Sequence, residues 1–344
     1  MVKLAREARG LTQKQLAEEI GVSQGMISKL EDGLMAGSVT YDFVSKATEV
    51  LNFPYSFFTQ SGTARAACAS FYRKKASLPS RLLSQCDALM NIDRLRIEKL
   101  LESCELSKNP LPFLDPDEFN GGPAEIANRL RTLWKIPRGP IQNMTKLVED
   151  TGCVIVHFDF GTKKLDGLSI WGKNDIPIVF LNPTLPAARV RLTLAHELGH
   201  IVMHRIPSPD MEDQAMRFAG EFLMPELDIK SQFLPFSIDR LARLKLAWKV
   251  SMQALLMRAE QLGIVTQRYA RYLWMQFGKY GYRTREPHDE QIPLEEPKLR
   301  QELAQVYLND LGYSHDELAD ALGMKVADFR QDILGIGDYL RVVK

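Results

Sequence analysis

The segment His196-Glu197-Leu198-Gly199-His200 sets two imidazoles four residues apart around a carboxylate. On an α-helix four residues turn through about 400°, so both rings return to one face, about 6 Å apart along the axis, where they can share one cation. Neutral ring nitrogens favour zinc, and a carboxylate beside the cation can take a proton from water. The spacing therefore assigns His196 and His200 as metal ligands, Glu197 as general base and Zn2+ as cofactor. Leu192, Leu194 and Ala195 before the motif, and Ile201, Val202 and Met203 after it, place this helix in a core with little water. Low water access strengthens every charge interaction inside such a site.

A hydrolytic zinc site needs a third protein ligand. His204 is near in sequence, since three of the six histidines fall between 196 and 204. It lies eight residues, about 12 Å, beyond His196 along the same helix. It is assigned to a supporting position behind the ligands or to the surface. The next helical stretch, 211–223, carries Glu212, Asp213 and Glu221. Glu212 and Glu221 are nine residues, about 900°, apart and face opposite sides. Glu212 shares the side of Met216, Ala219 and Leu223, which makes it the chosen third ligand.

A second constellation suits recognition rather than catalysis. Thr12-Gln13-Lys14-Gln15 has a hydroxyl at the N-cap and an amide three residues later, a capping box opening a helix that ends at Ile20-Gly21. Ser23 caps the next helix, whose Ile27 and Leu30 turn toward a bundle and leave a polar face outside. On that face Gln24 can read an adenine edge in a major groove, while Gln13, Ser28 and Lys29 meet bases or phosphates, with Ser23 beside them at the helix start. Gly25 leaves a gap on that face. Residues 1–60 hold six basic against seven acidic residues, so a single copy gains little phosphate attraction.

ARGLTQKQLAEEIGVSQGMISKLEDG resembles the helix-turn-helix of the Xre family, related to phage repressors, over about residues 1–58. HELGHIVMH followed by EDQAMRFAGEFLMP resembles the ImmA/IrrE family of bacterial zinc metallopeptidases, and that likeness runs from FYRKKASLP near 71 to about 285. The first resemblance implies a double-stranded DNA operator as partner, bound by a homodimer. The second implies a zincin-like fold in which His196, His200 and Glu212 hold zinc, Glu197 is the catalytic base and a protein is cut. A strand such as GLSIW or IPIVFLN can offer an edge to an extended substrate peptide.

The elements that must carry these groups read as α+β. At 344 residues the chain holds about two or three domains. Its 44 basic and 43 acidic residues leave a net charge of +1, so any nucleic-acid surface is local. No apolar run of about 18 residues is present, which excludes a membrane span. The charged N-terminus has no secretory pattern, and the four cysteines lack any C-x-x-C pair, so a cytoplasmic protein with reduced thiols is expected.

Residues 1–60 form an all-α helix-turn-helix DNA-binding bundle. Residues 61–120 form a basic linker and helical connection. Residues 121–285 form the metallopeptidase domain, with a small sheet (CVIVHF, GLSIW, IPIVFLN) and the HExxH helix. Residues 286–344 form an acidic linker and a small helical module, suited to dimerisation or a second DNA contact. Between 240 and 285 ten basic residues stand against Glu260 alone, with Tyr269, Tyr272, Trp274, Phe277, Tyr280 and Tyr282 among the interleaved aromatics. Such a stretch can follow a nucleic-acid backbone, hold an acidic partner or the acidic stretch downstream, or form a solvated helical face.

The whole reads as a DNA-binding transcriptional regulator with zinc-dependent endopeptidase activity that cleaves a regulatory protein such as a partner repressor. The alternative is a non-catalytic, zinc-stabilised repressor or antitoxin-type regulator.

Overall fold

The computed structural model describes residues 1–34, 40–60, 78–106 and 111–336. The basic residues Arg65, Arg73, Lys74 and Lys75 of the expected linker lie outside the described residues. About three-fifths of the described residues are helical, and their strands form a single small sheet. Two compact units share the chain: 1–106 with 172–175 and 298–344, and 107–171 with 176–297.

In the first unit α1 (Val2–Ala8), α2 (Gln13–Ile20), α3 (Gln24–Glu31), α4 (Tyr41–Leu51) and α5 (Tyr55–Thr59) form the N-terminal bundle. Both halves of the expected capping box at Thr12 and Gln15 are present. Gly21 closes α2 at φ 82°, a left-handed backbone that only glycine adopts without strain. Leu16, Ala17, Ile20, Ile27, Phe43, Ala47, Leu51 and Phe57 fill the core. The longer α6 (Ser80–Leu100) contributes Ala88 and Ile92 to that same core, so this connecting helix also roofs the bundle.

The second unit begins with α7 (Gly122–Leu133) and α8 (Met144–Glu149), followed by β1 (Val154–His157), β2 (Gly167–Trp171) and β3 (Pro177–Leu181). The sheet order is β1-β3-β2. β1 runs parallel to β3 with Val154 opposite Ile178, and β2 antiparallel with Ser169 opposite Val179. β3 is therefore central, buried at all five positions, and it offers no edge to a peptide. Of the two strands expected to do so, only GLSIW lies at an edge.

Next come α9 (Ala187–Met203) and α10 (Met211–Leu223), then α11 (Glu226–Ile229), α12 (Ile238–Trp248), α13 (Met252–Gln261) and α14 (Gln267–Lys279). A continuous apolar core joins α7, α9, α10 and α12–α14. α9 buries 15 of its 17 residues, among them the polar Arg191, His196, Glu197 and His200, and such buried polar groups must find partners.

The acidic stretch after 285 is not a solvated linker. Glu286 accepts the Met252 and Gln253 amides at 2.7 and 3.0 Å, satisfying the open start of α13. It also pairs at 2.9 Å with Lys245, which is 0% exposed, and Asp289 pairs with the same lysine. Glu295 accepts from the Met144 and Thr145 amides and pairs with Arg191. A buried ammonium must find carboxylates, so part of the basic excess of 240–285 is spent inward.

The first unit closes with α15 (Leu299–Asn309), α16 (His315–Ala321) and α17 (Val326–Asp332). Their core, Leu303, Tyr307, Leu318, Leu322, Phe329 and Ile333, includes Leu100 from the end of α6. Tyr307 donates to the Lys99 carbonyl at 2.9 Å, and Gln60 donates to the Ala321 carbonyl at 3.0 Å. No helix of the described residues is long and apolar enough to cross a membrane.

Candidate metal centre and DNA-reading face

α9 and α10 cross at Gly199. A Cβ there would lie 3.0 Å from Phe218 Cδ1 and 3.3 Å from Ala215 Cα, closer than a side chain tolerates without displacement. The missing side chain lets the two backbones approach, and Glu212 at the start of α10 thereby reaches the ring face of α9. His196 Nε2 and His200 Nε2 stand 3.0 Å apart. One Glu212 oxygen lies 3.3 Å from His196 Nε2, and the other lies 3.5 Å from His200 Nε2. Among the described residues these three are the cluster whose donor atoms could hold a cation. A tetrahedral zinc with bonds of about 2.0–2.1 Å needs donors about 3.4 Å apart. The observed separations and the nitrogen–nitrogen–oxygen donor set fit that ion, with a fourth position left to solvent or substrate. Both rings are buried, whereas the Glu212 side chain is 35% exposed, so access comes from its side.

The other two carboxylates of α10 point elsewhere. Glu221 is buried on the opposite side, accepting from Asn128 Nδ2 at 2.9 Å and pairing with Arg258. Asp213 is 74% exposed, 3.9 Å from Arg217.

Glu197 is 2% exposed and accepts a hydrogen bond of 2.9 Å from Ser169 Oγ, which is itself buried on β2. Sequence reasoning did not single out Ser169. A serine 28 residues upstream carries no spacing signal, and only the packing of α9 on β2 brings it near.

Helix α9 ends at Met203, and His204 is its C-cap in extended backbone. Its ring turns back toward the ligands, with Nδ1 3.0 Å from His200 Nδ1 and Nε2 2.8 Å from Gln214 Oε1. Burial, opposed by the Gln214 hydrogen bond, lowers the His204 pKa below the ordinary histidine value. Gln214 too was absent from the sequence-derived site.

In the N-terminal bundle Gln24 and Lys29 are exposed and Ser28 half-buried along α3. Ser23 caps α3 by accepting from the Met26 amide at 3.2 Å. Gln13 differs from expectation. Its amide donates to Glu31 at 2.9 Å, and Glu31 is also held by Arg6 at 2.6 Å. The carboxylate claims the Gln13 donor, leaving its carbonyl oxygen for another partner.

Comparison with known families gives two matches. Residues 2–58 match the helix-turn-helix family model, and residues 148–260 match the peptidase M78 model described as an IrrE N-terminal-like domain. No curated protein matches the chain. One sequence thus carries a helix-turn-helix match and an M78 peptidase match, and the second contains both α9 and α10.

Proposed function

We propose that this chain is a DNA-binding transcriptional regulator whose second unit is a zinc-dependent endopeptidase cleaving a regulatory protein, such as a partner repressor. The observation that carries this reading is the convergence of His196, His200 and Glu212 beside a buried, hydrogen-bonded Glu197. His196 and His200 would hold the zinc through Nε2 and Glu212 through a carboxylate oxygen. When bound, zinc supplies Lewis acidity, polarising the scissile carbonyl and lowering the pKa of water.

Glu197 takes a proton from the water as the water oxygen bonds to the scissile carbonyl carbon, and gives that proton to the amine nitrogen as the C–N bond breaks. Ser169 holds the Glu197 carboxylate in place for both transfers. β2, at the sheet edge, lends its outer backbone groups to an extended substrate chain, which gives binding without strong side-chain demand. Gln24, Ser28 and Lys29, with Ser23 and the Gln13 carbonyl, face the operator. A homodimer supplies two reading helices, and the small net charge of one bundle makes the second copy necessary for useful affinity.

The test is terminal-peptide mass spectrometry on cells expressing the intact chain or Glu197→Gln. A new protein terminus present only with the intact chain supports the peptidase and identifies its substrate. Identical termini, together with normal promoter control by Glu197→Gln, would overturn it in favour of a non-catalytic, zinc-stabilised regulator.

A further inference from the structure

The contacts behind His200 form a directed chain. Its two ring nitrogens have different neighbours: Nε2 faces His196 and Glu212, while Nδ1 lies 3.0 Å from His204 Nδ1. His204 Nε2 lies 2.8 Å from Gln214 Oε1. A carboxamide oxygen can only accept, so His204 Nε2 must carry the hydrogen. Neutral His204 then has a bare Nδ1, which can only accept from His200 Nδ1. His200 is left with its lone pair on Nε2, aimed at the metal position. Three side chains thus have one self-consistent proton arrangement, and the acceptor at its far end sets it.

We propose that Gln214, acting through His204, is a positioning residue that fixes the His200 tautomer and ring orientation for metal binding. The proposal rests on the metal-centre reading above and extends it to two residues that ligate nothing. Its geometry is economical: α10 supplies Glu212 to the metal position and, two residues later, Gln214 to the end of the chain. Both ends of the His200 ring are therefore tied to the same helix. His196 has no equivalent support, since its buried Nδ1 lacks a protein partner among the described residues. The orientation of the histidine pair then depends on His200, and losing its support should weaken binding rather than be absorbed by its neighbour.

Outer partners of metal-bound histidines typically contribute about 10–100-fold in metal affinity. The test uses the purified full-length chain, with zinc alone competed against a chromogenic chelator. Gln214→Leu keeps the size but removes the acceptor, and should weaken zinc binding by about 10–100-fold. Gln214→Glu keeps an acceptor at the same reach and should stay within about threefold of the parent. His200→Ala is the control for the site itself.

Equal zinc affinity in Gln214→Leu and the parent, with binding lost in His200→Ala, would overturn the relay while leaving the metal centre intact. No zinc uptake by the parent would overturn the metal centre and the relay with it. A second measurement needs no metal. With 15N-histidine labelling, His200 in the metal-free parent should show a protonated Nδ1 and a bare Nε2, and Gln214→Leu should shift it toward a mixture. A parent His200 protonated on Nε2 contradicts the proposal.

Discussion

Helix α9, which carries the candidate metal ligands, and helix α3, proposed to read DNA, are built by opposite means. α9 buries 15 of 17 residues, while α3 buries only Ile27 of its eight. Around α9 each functional side chain has a partner from another element: Glu197 from β2, His200 through His204 from α10, and the ring pair from Glu212. On α3 the fold fixes the backbone through Ser23 and Ile27, and leaves Gln24 and Lys29 to water. Chemistry that must hold donors within a few tenths of an ångström is packed into place. Recognition that must adapt to a groove is left outside, where the fold dictates which positions face outward but not what they read.

Perturbations on the two sides should therefore differ in size. The largest effect is expected from His200→Ala, which removes a donor from the centre and should abolish zinc uptake and cleavage without altering DNA footprints. Next is Glu286→Gln in the acidic stretch after 285. Removing one of the two carboxylates that face fully buried Lys245, with Asp289 left in place, should cost about 2 kcal/mol, read as a lower urea midpoint. Gly199→Val forces apart α9 and α10 at their closest approach and should cost about 2 kcal/mol, with weaker zinc binding because Glu212 retreats.

Ser169→Ala removes the donor to Glu197. A charge-assisted hydrogen bond of this kind corresponds to about tenfold in kcat on a peptide spanning the cleavage site, with KM and zinc content unchanged. The smallest effect is expected from Gly25→Ala on α3. Its Cβ meets nothing within 4 Å, so helix propensity should add up to about 1 kcal/mol to the bundle. Any change in footprint then reports the groove side of α3 alone. If Gly25→Ala destabilised the bundle as much as Gly199→Val does the second unit, the contrast between the regions would be lost.

Much of this was legible in the sequence because it rests on periodicity. The 100° count along 196–200 and 211–223 places both imidazoles on one face and separates Glu212 from Glu221, and the capping signals at Thr12 and Ser23 bound the reading helices. What was not legible depends on which elements meet. Ser169 and Gln214 acquire their partners only through packing of α9 against β2 and α10. The acids at 286 and 295 look like a free linker because their partners, Lys245 and Arg191, lie 41 and 104 residues away. IPIVFLN and GLSIW read alike as strands, and only the sheet order makes one central and the other an edge. Gln13 kept its predicted position on α2, but Glu31, brought in by the Arg6 pairing, takes its amide.

The most direct test of the central claim, that α9 and α10 together build a hydrolytic zinc centre, is metal content by plasma mass spectrometry on the purified chain, Glu197→Gln and His200→Ala. One zinc per chain is expected in the first two, because Glu197 is not among the three proposed ligands His196, His200 and Glu212, and essentially none in the third. Zinc retained by His200→Ala, or absent from the intact chain after loading, would contradict it.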